Sequence, residues 1–272
     1  MPQFDARELI EFDRDDSNNG VLLKWMTPDK KFFIKSSRLY RGQAQSYESL
    51  MEVIAHEMLA HMGIPSVKQT LCMVRYQGRN LLSCVSKNYK LGDAEFLSAK
   101  SVLIAKGYTD AKVAGRYDNL LSVFPYLRAE LDLIMQVDFL LNNTDRHMRN
   151  IEFVLGADGL LTLAPLYDNG TSFLEEFGSD EDLEDLLNMD EIDDGMSWEL
   201  YKRGEEVTAK SFSTSQQMQL RRVATLDSRV SAVSLESLLV VLEKYESHLT
   251  ALRYRMMVEL LGERYRLLRS RV

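Results

Sequence analysis

Leu140 to Gly170 reads LLNNTDRHMRNIEFVLGADGLLTLAPLYDNG. Two polar clusters flank two short apolar runs. The first cluster is Asn143-Thr144-Asp145-Arg146-His147-Met148-Arg149-Asn150, and the second is Asp168-Asn169-Gly170. Between them, Ile151 to Leu155 and Leu160 to Leu163 are rich in branched residues, which favour strands. Asp158-Gly159 separates the runs, and both residues tolerate positive φ, so the pair signals a hairpin. The stretch therefore predicts helix, polar loop, strand, tight turn, strand, polar loop. A hairpin of this length brings Asn150 and Asp168 to one edge of a sheet.

The residue types suggest a chemistry. Asp145 and Asn150 are five apart, the D-x-x-x-x-N spacing of a kinase catalytic loop. Phosphoryl transfer from ATP asks for a carboxylate near the acceptor hydroxyl, oxygen ligands for Mg²⁺ and cations on the phosphates. Asp145 suits the first role. Asn150 and Asp168 suit the second, because Mg²⁺ prefers hard oxygen donors. Asp168-Asn169-Gly170 would stand where many kinases have D-F-G. Singly, these pieces are common on ordinary surfaces; in this order, with a strand pair between them, they are much more specific.

N-x-D-R-H-x-x-N, then a short hairpin, then Ala164-Pro-Leu-Tyr-Asp168 resembles the HipA-like serine/threonine kinases, and most of all their compact CtkA type. The resemblance covers about residues 20–173 and is strongest over 136–172. It implies an α+β, two-lobed protein-kinase-like fold. A small antiparallel β lobe with one helix would span residues 1–87, and a larger, mainly helical catalytic lobe residues 88–272. In this family Arg and His follow the catalytic Asp, so Arg146 and His147 are expected to structure the loop; His147 as general base is a minority reading.

Upstream, Phe32-Phe33-Ile34-Lys35 is an apolar strand ending in Lys, similar to the kinase strand whose Lys contacts the α- and β-phosphates. The helix expected over Ser46 to Met62 stands where a kinase carries the Glu that pairs with that Lys. The family places it eleven residues before the Gly-Ile at the helix end, which here is Glu52; Glu57 and Glu48 are the alternatives. Ser17-Asn18-Asn19-Gly20 is turn chemistry that would lie over nucleotide phosphates, although no G-x-G-x-x-G is present. Ser83, Cys84 and Val85 are expected to form the hinge, whose backbone reads the adenine edge.

The helix expected over Leu127 to Asn142 has one acid, Asp138, in its apolar stripe. A buried acid needs a partner, and Arg146 or loop N–H groups are the candidates. Ser234 to Leu268 reads as one long amphipathic helix expected to pack onto the C-terminal lobe, a coiled-coil partner helix being the alternative, and Arg253, Arg255, Arg264, Arg266, Arg269 and Arg271 make the end basic.

Composition narrows the class. The chain has 272 residues, 45% hydrophobic, with net charge −8. Glu175 to Asp194 alone holds eleven acids and no base, so the acidity is local. That run reads as a solvated loop in the activation and substrate region. No run is long enough to cross a membrane, and the acidic N-terminus is unlike a signal peptide, so a cytoplasmic location is expected. Cys72 and Cys84, the only cysteines, fall in strand-like runs and read as reduced core residues. They and four scattered histidines make no zinc pattern.

The expected function is ATP- and Mg²⁺-dependent phosphorylation of Ser or Thr on a protein substrate. Autophosphorylation is implied by the resemblance, with Ser36, Ser37 and Ser46 as candidates, and so is a small antitoxin or regulatory partner. A nucleotide-binding pseudokinase and a small-molecule kinase of the aminoglycoside or choline type are the alternatives. The basic tail points decisively to neither nucleic acid nor membrane.

Overall fold

Alternating apolar and polar residues build the first third of the chain into a sheet with two useful faces. The structure, a computed structural model, describes residues 1–17, 20–39, 45–90, 92–108, 117–189, 197–205, 207–209 and 214–270. Strands β1 (Gln3–Asp5), β2 (Ile10–Ser17), β3 (Gly20–Met26), β4 (Phe32–Ser36), β5 (Gln69–Tyr76) and β6 (Arg79–Lys87) form one sheet in the order β1-β5-β6-β4-β3-β2. The expected antiparallel sheet is thus extended by a parallel edge strand, since β1 pairs parallel with β5. Its outer face buries Leu23, Trp25, Ile34, Cys72, Val74 and Leu81 under Phe4 and Leu9. The inner face carries Lys35, Cys84 and Ser86 toward the cleft. Both cysteines are free and buried, with burial pushing the Cys72 thiol up to about 12 and Cys84 well above its ordinary range.

Helix α1 (Glu48–His61) covers the inner face, with Leu50, Ile54, Met58 and Leu59 fully buried as their spacing predicts. It ends at Gly63, whose φ of +68° suits a residue without Cβ. The outer end of α1 is tied to the far lobe. Glu57 accepts from Tyr245 Oη at 2.7 Å and Lys244 Nζ at 2.8 Å, next to helix α9 (Leu235–Glu243). One hydrophobic core runs from α1 into the helical lobe.

In that lobe, β7 (Glu95–Ser98), β8 (Glu152–Leu155) and β9 (Leu161–Leu163) make a small sheet beside α2 (Ala99–Ala105) and α3 (Tyr117–Val123). Helix α4 (Arg128–Leu141) is the axis, buried along most of its length. Asn142 closes it in the left-handed conformation, φ +52°. The β8–β9 hairpin forms as expected, with Gly159 at φ +79° and Leu160 N donating to Asp158 Oδ1 at 3.0 Å. Beyond it come α5 (Asp180–Asn188), α6 (Trp198–Arg203), the β10 (Thr208–Ala209) and β11 (Thr214–Ser215) pair, α7 (Gln216–Leu220), α8 (Ser228–Ala232), α9 and α10 (Ala251–Arg269).

Two expectations are corrected here. The single C-terminal helix is two. Ser234 caps α9, but Thr250 caps a second start by accepting from Arg253 N, with a 3₁₀ turn at Glu246–His248 between them. The basic end packs onto the helical lobe. Arg253 and Arg264 are fully buried. Arg264 donates to Phe139 O at 2.7 Å, Tyr201 O at 2.9 Å and Gln216 Oε1, and its guanidinium lies over the Phe139 ring. Finally, the acidic run is not a loop throughout. Asp180–Asn188 is helical under a Ser179–Asp182 capping box and buries Leu183 and Leu186; residues 190–194 lie outside the described residues.

Glu175, also in that run, is buried beside Ser46 and Glu48. Burial, reinforced by the Glu48 charge, pushes its carboxyl up to about 7. The folded state therefore holds this proton to higher pH than the unfolded chain, whose carboxyl titrates near 4.5, and stability falls as pH rises from there through about 7.

Two outcomes are expected in thermal and denaturant unfolding. Arg264→Met leaves Gln216 Oε1 without its donor, while Phe139 O and Tyr201 O keep backbone donors, and should lower stability by about 2 kcal/mol. Glu175→Gln should flatten the loss between pH 4.5 and 7. It should stabilise the protein at pH 8 by up to about 3 kcal/mol, with little effect at pH 4; equal pH profiles would contradict the burial argument.

Candidate active site

The site is assembled where α4, the β8–β9 hairpin and α1 meet the sheet. Its centre is a buried guanidinium. Arg146 Nε and Nη2 donate to the Asp138 carboxylate at 3.1–3.3 Å, so the acid that interrupts the α4 stripe has its partner. Arg146 Nη1 donates to Tyr167 O at 2.6 Å and Asn150 O at 3.4 Å, while Nη2 also meets Asn169 Oδ1. One side chain thus ties α4, the loop after it and the Asp168-Asn169-Gly170 strap together. Burial raises the Asp138 carboxyl even against Arg146, whereas the Arg146 guanidinium, though burial opposes its charge, is held above its ordinary range by Asp138.

The strap is bent by Asp168, which adopts φ +56°, a region that Asp tolerates better than most residues. Gly170 then passes α1 so closely that a Cβ there would lie 2.6 Å from Glu48 Cγ and 3.2 Å from Glu48 O. This is the physical need for glycine at the end of the motif.

Lys35 sits among carboxylates from three directions. Its Nζ lies 2.8 Å from Asp168 Oδ1, 3.0 Å from Glu52 Oε1 and 2.8 Å from Glu48 Oε1. Burial opposes its charge, but Asp168, Glu48 and Glu52 outweigh burial and hold the ammonium well above its ordinary range. Asp168 is held low, because Lys35 overcomes the cost of burial. Glu52 is pushed up by burial despite Lys35. Glu52 Oε2 also accepts from Asn169 N at 2.9 Å, so this carboxylate joins α1, β4 and the strap. Of the three acids weighed for the pairing role, Glu52 and Glu48 both reach Lys35, and Glu57 serves the far lobe instead. A pattern of one pairing Glu gives no signal for the second, Glu48.

Asn150 Nδ2 donates to Asp168 Oδ2 at 2.6 Å. The two side chains expected to hold Mg²⁺ are therefore adjacent and offer amide and carboxylate oxygens, a donor set that fits a hard divalent cation. No cluster of three or more His, Cys, Asp or Glu suited to a metal occurs among the described residues. Asp145 is half-buried on the same loop, its N–H donating to Asn143 Oδ1 at 3.2 Å, and Asn143 Oδ1 also accepts from Thr171 Oγ1 at 3.1 Å.

Lys35, Glu52, Asn150 and Asp168 share a cleft of about 330 Å³ whose other walls include Phe12, Phe33, Val67, Gln69, Cys84, Tyr89 and Tyr167. Asp145 is not part of that lining. Of the three expected hinge residues only Cys84 lines the cleft. Ser83, Cys84 and Val85 lie on a strand paired on both sides, by β4 and β5, so ladder bonds occupy their backbone groups. Beyond Lys87 the connection Asn88 to Lys90 leaves that strand, with Asn88 N donating to Lys31 O at 2.7 Å. Tyr89 Oη donates to Glu152 at 2.6 Å and Lys90 Nζ reaches the same carboxylate at 2.5 Å, pinning the connection to β8. Sequence reasoning missed Glu152; an acid two residues after Asn150 was its only trace. Asn18 and Asn19 lie outside the described residues, and Gly20 opens β3.

The expected phosphoacceptors Ser36, Ser37 and Ser46 are buried, and their hydroxyls accept backbone N–H bonds from Leu23, Ser49 and Glu48 respectively. They are not presented as substrates in this conformation.

No family model and no curated protein matches the sequence. Solved structures do match by shape. The proinflammatory kinase CtkA of Helicobacter pylori superposes with a TM-score of 0.66 at 14% identity, over 99% of this chain and 97% of that one. HipA of Shewanella oneidensis MR-1, solved with HipB and its operator DNA, gives 0.52 at 16% identity, over 94% of this chain and 66% of that one. The mixed α+β fold, with its curled sheet and helical part, is the kinase-like fold of these two structures.

Proposed function

We propose that this protein is a serine/threonine protein kinase that uses ATP and Mg²⁺. The observation that carries the reading is the joined set Glu52–Lys35–Asp168–Asn150, with bonds of 3.0, 2.8 and 2.6 Å. It spans strand, helix, strap and loop, and it puts one cation and a pair of hard oxygen ligands in one cleft.

In this reading Lys35 binds the nucleotide phosphates, and Glu52 keeps its Nζ in the cleft. Asn150 and Asp168 hold Mg²⁺, which supplies charge neutralisation on the phosphates when bound. Asp145 orients the acceptor hydroxyl and takes its proton. Arg146 and Asp138 hold the loop and strap at the spacing these roles need. A protein acceptor is what the sequence resemblance to HipA-like kinases implies, and the solved HipA–HipB complex supports looking for a regulatory partner.

The test is incubation of purified protein with γ-labelled ATP, Mg²⁺ and a mixture of candidate protein acceptors, read by phosphosite mapping. Label is expected on Ser or Thr. Asp145→Asn should lower kcat by about 10²–10⁴-fold while leaving ATP binding near wild type, and Lys35→Ala should weaken ATP binding itself. ATP binding without label would favour a pseudokinase; label on a small molecule alone would move the reading to that class of kinase.

A further inference from the structure

Two polar side chains stand in the wall of the cleft without bonds of their own. Gln69 opens β5, and Ser86 stands opposite it on β6. Both line the cleft and both are half-buried. Among the described residues, neither the Gln69 carboxamide nor the Ser86 hydroxyl has a hydrogen-bond partner.

Their place along the sheet limits what they can meet. Cys84 lies opposite Lys35, and Ser86 lies opposite Phe33, two residues further toward the connection. Two residues of strand are about 7 Å, which separates the pair from the charged end at Lys35. Around the pair the cleft is apolar and aromatic, with Val67, Phe33 and Tyr89 among its walls. That is the setting for a planar base rather than a phosphate.

A carboxamide presents one N–H donor and one oxygen acceptor side by side. Adenine offers the complement, an N6 amino donor beside the N7 acceptor, and Gln pairs with this edge through two hydrogen bonds. Guanine offers O6 and N7, two acceptors, so the same carboxamide makes one bond and sets its oxygen against an acceptor. We propose that Gln69, with Ser86 as its small neighbour, selects adenine over guanine nucleotides by reading the N6/N7 edge. The inference rests on the nucleotide-binding reading above and adds the residue that chooses the base.

The experiment is direct binding of ATP, GTP and 7-deaza-ATP, each with Mg²⁺, to wild type, Gln69→Leu and Lys35→Ala. Wild type should prefer ATP to GTP, and should bind 7-deaza-ATP, which lacks the N7 acceptor, at least ~5-fold more weakly than ATP. Gln69→Leu should lose most of both differences, while Lys35→Ala weakens all three nucleotides and leaves their ratios unchanged. An ATP-to-GTP ratio in Gln69→Leu equal to that of wild type would overturn the inference and leave nucleotide binding standing. Should Gln69→Leu fail to fold, equal affinity of wild type for ATP and 7-deaza-ATP would overturn it instead, and a difference would support it. Binding of no nucleotide by wild type would overturn the underlying reading and this one with it.

Discussion

A buried ion pair, Asp138 with Arg146, is the constraint on which the site depends. Both groups are almost free of solvent contact. Removing two charges from water costs several kcal/mol each, and the attraction offsets this only when the remaining donors are also satisfied. Arg146 meets that condition by donating to the carbonyls of Asn150 and Tyr167 and to the Asn169 side chain. The same bonds that make the pair tolerable therefore fix the spacing between the loop after α4 and the strap at Asp168. Stability and site geometry are here one set of hydrogen bonds.

Lys35 is the second node, and it is held differently. Three carboxylates surround one ammonium, an excess of negative charge at the position where a phosphate would arrive. Glu52 is also committed to Asn169 N, so it stays in place when Lys35 changes partners. Among the described residues, Asp168 and Glu48 accept no such backbone N–H, so they are the partners Lys35 could exchange.

Much of this arrangement was legible in the sequence. Asp145, Asn150 and Asp168 stood out because their residue types and spacing repeat a known chemistry, and Asp158-Gly159 marked the hairpin that brings the last two together. Asp138 was legible as an anomaly, an acid in an apolar stripe. Other features left no local trace. The backbone of Ser83 to Val85 cannot serve as a hinge because of which strands flank β6, and that is decided by pairing far along the chain. The parallel pairing of β1 is long-range in the same way. The burial of Arg253 and Arg264 had no local signal, since arginine is seldom fully buried; what buries them is a supply of carbonyl oxygens from Leu174, Phe177, Phe139 and Tyr201, none of them visible in composition. The helix break at Thr250 falls inside an amphipathic pattern that continues on both sides of it, so periodicity did not mark it.

The link from Glu57 to Lys244 and Tyr245 has a mechanical meaning. Helix α1 carries Glu48 and Glu52 at one end and is bolted to the helical lobe at the other. Its glutamate end is tied there too, since Glu52 accepts from Asn169 N and Gly170 passes close to Glu48. Moving β4 away from α1 would break the Lys35 contacts with both glutamates together. A ligand that closes the lobes would set the charge constellation in the same movement, and one that wedges them apart would disassemble it without touching a residue in the cleft.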